Sequence, residues 1–144
     1  MKLSMKSDYG IRALTDLAER YGEGPITSAS IASRQGIPEP FLDQLMTTLR
    51  KAGIVHSLRG PQGGHQLARP PAEVTMVQVI LVLEGSLAPI ECLEHLICPK
   101  GVRCAQREVW QEVQAQVQRV LGSVTIADLA ERERRAQAAV MYHI

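Results

Sequence analysis

A chain of 144 residues with 45% hydrophobic content can bury one real core, which excludes the disordered and collagen-like classes. The formal net charge of +1 excludes a globally basic nucleic-acid binder. Residues 1–69 carry nine Lys and Arg against six Asp and Glu, and residues 70–144 seven against nine, so any DNA affinity must come from a local motif.

From Met5 to Tyr21 the apolar residues Ile11, Leu14, Leu17, Ala18 and Tyr21 recur at three- and four-residue spacing, the signature of one helix face. Ser4 or Ser7 can cap its start, and Gly22 and Gly24 end it. The segment is amphipathic and interrupted by charge, unlike a secretory signal, and no apolar run reaches about 18 residues. A cytoplasmic protein without a membrane partner is expected. A second, short helix runs from a Thr27 or Ser28 cap through Ile31 and Ala32 to Gly36. A third opens at Pro38 and Pro40, buries Leu42, Leu45, Met46 and Leu49, and stops at Gly53. Two helices separated by so short a turn match a helix-turn-helix. The outward residues of the third, Glu39, Phe41, Asp43, Gln44, Thr47 and Lys51, mix donors, acceptors and an aromatic, a set suited to reading base edges.

Residues 54–59 and 65–69 then form two strand candidates joined by Gly60, Pro61, Gln62, Gly63 and Gly64. A glycine-rich hairpin beside a helix-turn-helix is a wing. It lacks the Lys-Ser/Thr of a nucleotide-binding loop, and Arg59 at its tip can enter a minor groove. After Pro70 and Pro71, Thr75 caps an apolar helix over 76–84 that closes the winged domain at Gly85.

A loop over 86–101 carries Cys92 and Cys98, with Cys104 just beyond. Three thiols with five residues between neighbours suit iron-sulfur or zinc chemistry better than disulfides, which would leave one over. The gaps are wider than those of most structural zinc sites. From 102 to 121, Trp110, Val113, Val117 and Val120 make a narrow seam on a polar helix, expected to pack on a second copy. Thr125 caps a short helix through Ile126, Leu129 and Ala130, the Glu-Arg run at 131–135 is a solvated face, and the apolar end docks on the dimer.

Three stretches, MKLSMKSDYGIRAL, FLDQLMTTLRKAGIVHSLRGPQGGHQLA and Cys-x5-Cys-x5-Cys, together resemble a family of bacterial winged-helix regulators. It includes the iron-sulfur cluster regulator IscR, the nitric-oxide sensor NsrR and the cysteine-metabolism regulator CymR, and the likeness spans nearly the whole chain, closest in outline to the IscR type. The resemblance implies a homodimeric transcription regulator, acting as a repressor on double-stranded operator DNA, with a 2Fe-2S or 4Fe-4S cluster on Cys92, Cys98 and Cys104. Where the IscR-like branch has a histidine three residues after the last cysteine, this chain has Arg107, which cannot ligate. The nitric-oxide-sensing branch uses a carboxylate from the other subunit, and Asp8 stands at that position. His95 is the other candidate fourth ligand.

The expected fold is mainly α with a β-hairpin wing: a winged helix-turn-helix over 1–85, a cluster-binding loop over 86–101, and a dimerisation helix with a docking segment over 102–144. DNA contacts are expected from Ser28 and Ser30 to phosphate, from Phe41, Asp43 and Gln44 to bases, and from Arg59, Gly60, Gln62, Gly63 and Gly64 of the wing. No catalytic arrangement and no organic substrate platform is visible, so an enzyme is not expected. The rival readings are a small iron-sulfur redox carrier, a zinc-stabilised binding module, and a metal-free thiol switch.

Overall fold

The structure is a computed structural model and describes residues 2–95 and 104–142. Helix α1 spans Met5–Glu19 and starts at a Ser4 cap whose hydroxyl accepts from the Lys6 N–H. Its core face, Ala13, Leu14, Leu17 and Ala18, is buried. α2 (Ser28–Gln35) is capped by Thr27, and Gly36 closes it at φ 63°, a left-handed conformation that glycine adopts without steric cost. α3 (Glu39–Lys51) follows at once, with Pro38 as its cap residue and a proline in its first turn. Its apolar face, Leu42, Leu45, Met46 and Leu49, joins Ile31, Leu14 and Ile54 in one core.

Strands β1 (Val55–Leu58) and β2 (Gly64–Leu67) pair antiparallel, with Ser57 opposite His65. Ile26, just before α2, adds a third, single-residue strand: its N–H donates to the His65 carbonyl at 2.8 Å and its carbonyl accepts from the His65 N–H at 2.7 Å. The wing is thereby stitched to the helix-turn-helix. Gly64 makes this approach possible, because a Cβ there would lie 2.5 Å from the Ile26 carbonyl oxygen.

α4 (Met76–Glu84) begins in a reciprocal capping box between Thr75 and Gln78 and packs against α1 and α3. Its last residue, Glu84, reaches the start of α1, where one carboxylate oxygen accepts from the Ser4 N–H at 2.9 Å and from the Ser4 and Ser7 hydroxyls at 2.5 and 2.6 Å. These donors, Ser4 first, hold the Glu84 pKa below the usual carboxylate range. The contact therefore contributes fully above about pH 4.3, the unfolded value, and is lost as pH falls through the lower folded value. Glu84→Gln should cost about 1–2 kcal/mol at neutral pH and much less in acid, which urea unfolding at both pH values measures.

The segment after α4 contains a one-turn helix, α5 (Glu91–Glu94), where a plain loop was expected. α6 starts at Arg107 and runs to Gly122, several residues later than 102, because residues 104–106 are irregular or in a turn. The last helix departs most from expectation. Instead of a short helix and a separate docking segment, α7 is continuous over Ile126–Tyr142. Thr125 and Asp128 cap it reciprocally, with N–H to side-chain oxygen distances of 2.9 and 3.1 Å. Its first turns bury Ile126 and Ala130 in the core and lie along α1. Glu131 then pairs with Arg134 and Arg135 one turn on, which stabilises a polar helix locally. Val140, Met141 and Tyr142 remain exposed.

Candidate DNA interface and thiol centre

The face formed by α2, α3 and the wing carries most of the residues expected to meet DNA. Asp43, Gln44, Thr47 and Lys51 are exposed along α3, as are Arg59, Gly60 and Gln62 at the wing tip, while Gly63 is half-buried. Phe41 differs from the expected outward aromatic. It is half-buried on the core, and its ring meets Tyr9 edge-on, with centroids 5.5 Å apart at 78°. Spacing held the clue, since Phe41 lies four residues before Leu45 and so borders the buried stripe. Arg12 covers the other side of that pair, its guanidinium 4.9 Å from the Tyr9 ring centroid.

Ser28 and Ser30 occupy the first turn of α2. The Ser30 hydroxyl accepts from Thr27 Oγ1 at 3.0 Å. Ser28 Oγ lies 2.8 Å from His65 Nε2, and the other ring nitrogen, Nδ1, lies 2.8 Å from Ser57 Oγ. Burial pushes the His65 pKa below the ordinary value, favouring the neutral ring.

Two side chains behind this face were not legible in the sequence. Asp16, 1% exposed on α1, takes a two-pronged contact from Arg34 of α2, Nε to Oδ1 at 2.9 Å and Nη2 to Oδ2 at 2.7 Å. Arg20 Nη1 at 3.1 Å and Gln35 Nε2 at 3.3 Å complete it. The Asp16 carboxylate raises the Arg34 pKa further. His65 is the second. Nothing in its spacing announces that it joins two elements.

Of the expected cluster ligands, Cys92 on α5 and Cys104 just before α6 are free and half-buried. Cys98 lies outside the described residues. Among the described residues no three His, Cys, Asp or Glu side chains converge as a metal site. Asp8 sits half-exposed in the first turn of α1, paired only loosely with Arg12 at 3.4 Å. His95 ends α5, and Arg107 opens α6. The donor type, two half-buried thiols flanking a third cysteine in the sequence, is the one that iron-sulfur groups take.

A helix-turn-helix with a hairpin wing stitched to it, presenting an exposed arginine tip, defines the class: a winged-helix DNA-binding transcription regulator. Residues 3–132 match the model of the Rrf2 family, described as an iron-dependent transcriptional regulator, and the chain belongs to that family. It is 40% identical over 144 residues to the HTH-type transcriptional regulator CymR of Bacillus subtilis, covering 100% of both chains. The structure of CymR, the global cysteine regulator of B. subtilis, superposes with a TM-score of 0.80 at 37% identity, over 92% of this chain and 98% of that one. That of T. potens IscR gives 0.80 at 43% identity, over 95% and 91%. No helix among the described residues is long and apolar enough to cross a membrane.

Proposed function

We propose that this regulator is a homodimeric repressor whose hold on operator DNA depends on an iron-sulfur cluster, with Cys92, Cys98 and Cys104 as thiolate ligands and Asp8 of the partner subunit as the fourth. The observation that carries this is the pair of free, half-buried thiols, Cys92 and Cys104, bracketing the stretch between the DNA-binding body and α6, in a chain whose family model is described as iron-dependent. When bound, such a group supplies thiolate–iron bonds that respond to redox state and to small ligands. The protein's own part is mechanical. Cys92 lies eight positions after Glu84, which is clamped to Ser4 and Ser7 at the head of α1. Movement at Cys92 therefore pulls on the helix against which α2 and α3 pack. Asp8, next to Ser7 in the first turn of α1, can exchange its loose Arg12 contact for a metal.

Anaerobic reconstitution with iron and sulfide tests the reading. The wild type should turn brown with visible absorbance, Cys92→Ser and Cys104→Ser should lose that absorbance, and Asp8→Ala should shift the spectrum. A colourless protein with stoichiometric zinc refutes it. Likeness to a cysteine regulator favours one second reading, a metal-free thiol switch. It predicts no absorbance, and an operator gel shift that changes with a thiol oxidant.

A further inference from the structure

Ser57, His65 and Ser28 form a hydrogen-bonded chain across three elements of the DNA-binding face, with both links at 2.8 Å. Ser57 stands directly opposite His65 in the wing register, so the first link is fixed by strand pairing. The second is fixed by the backbone bridge between Ile26 and His65, two residues before Ser28. We propose that His65 is a positioning residue of the DNA interface, its imidazole joining the wing to the first turn of α2 and turning the Ser28 hydroxyl outward as a donor to a backbone phosphate. This rests on the DNA-binding reading and names a residue that reading leaves out.

The proton inventory gives the chain a direction. A neutral imidazole carries one N–H. With that proton on Nε2, Ser28 accepts from the ring and its own O–H is left for a phosphate, while Ser57 donates to Nδ1. With the proton on Nδ1, Ser28 must donate into the ring and is lost as a phosphate donor. A phosphate at this helix end, where the dipole already favours an anion, selects the Nε2–H form. It favours the imidazolium more, because both ring nitrogens then donate and a positive charge stands behind the serine. The charged groups that act on the ring are Asp43 and Arg50 of α3, the first raising its pKa and the second lowering it. Its hydrogen-bonding and bridging neighbours, Ser57 of β1, Ser28 of α2 and Ile26, bring no charge, and α1, which also packs on β2, brings Arg20 beside Ile26, Gln66 and Leu67. Burial favours the neutral ring in the free protein, and a bound phosphate opposes that. DNA binding should therefore take up a proton, and affinity should rise as pH falls through the interval between the free and bound pKa values.

The probe is a fluorescein-labelled duplex of mixed sequence, about 30 base pairs long, because phosphate contacts are independent of sequence. Fluorescence anisotropy with wild type, His65→Phe, Ser28→Ala and the double variant gives affinity against salt and pH. Each single variant should bind roughly tenfold more weakly, with a log–log salt slope shallower by about 0.9, and the double variant no worse than either. On lowering pH from about 7.5 to 5.5, wild-type affinity should rise more steeply than that of His65→Phe, by up to about tenfold per unit. Parallel pH profiles with an unchanged salt slope in His65→Phe, or losses that simply add in the double variant, overturn the proposal. Should His65→Phe fail to fold, Ser28→Ala decides: an unaltered salt slope and affinity overturn it. A wild-type chain without salt-dependent affinity instead overturns the DNA-binding reading, and the proposal with it.

Discussion

Replacing Asp16 by alanine is expected to lower the stability of the chain by about 3 kcal/mol and its melting temperature by about 10 °C. The carboxylate is buried in the middle of α1 and accepts from Arg34, Arg20 and Gln35. Removing it leaves two guanidinium groups facing a space that water fills poorly. Both arginines are about one-third exposed, at 34% and 28%, so solvation recovers part of the loss and holds the figure at the low end of the range for broken buried pairs. Arg34 and Gln35 form the last turn of α2, so loosening Asp16 also frees the first helix of the helix-turn-helix. Operator affinity should fall by more than the unfolded fraction explains. Thermal melts and gel shifts at a temperature where the variant is fully folded separate the two effects. Replacing the pair together, Asp16→Leu with Arg34→Met, should be less damaging than Asp16→Ala, because no charge is then stranded.

The second large effect belongs to α6. No residue of this 16-residue helix is buried, although it carries Val109, Trp110, Val113, Val117, Val120 and Leu121. These residues form one apolar arc with two halves. Trp110, Val117 and Leu121 are half-buried on a helix that packs along α4, while Val109, Val113 and Val120 are 61, 36 and 57% exposed. The expected seam thus divides, with two of its members turned inward and two outward. In the proposed homodimer, a second copy would cover this outer half, an apolar stripe left open along a polar helix. Val113→Glu with Val120→Glu should convert a dimer into a monomer in sedimentation experiments. It should weaken operator binding at least a hundredfold, since the two half-sites then bind independently, and leave the melting of the winged domain nearly unchanged. A variant that sediments like the wild type places the subunit contact elsewhere.

Most of the DNA-binding domain was legible because its signals are local. The three- and four-residue spacing of α1 and α3, the Thr27 and Thr75 caps, and the glycines of the wing each declare themselves within a few positions. What escaped depends on distance. Asp16 and Arg20 look like a surface pair one turn apart, and only Arg34, eighteen residues on, converts Asp16 into a buried hub. His65 reads as an ordinary strand residue until the fold brings Ser28 to it. α7 reads short in the sequence for the opposite reason: its middle turns have no apolar stripe, and they stay helical through charge pairs and a well-anchored start. At the thiol centre, spacing supplied the candidate ligands, but the choice of partner for three cysteines is not a local property.

The stitch between Ile26 and β2 divides the wing into two regions with different freedom to vary. At its base, position 64 admits no side chain without displacing Ile26, and His65 is engaged on both backbone and ring, so random substitutions there should be strongly depleted in a mutational scan. At its tip, Arg59, Pro61 and Gln62 are exposed. Descendants of this chain could change those side chains, which the proposed function places against DNA, while the hinge of the wing stays fixed.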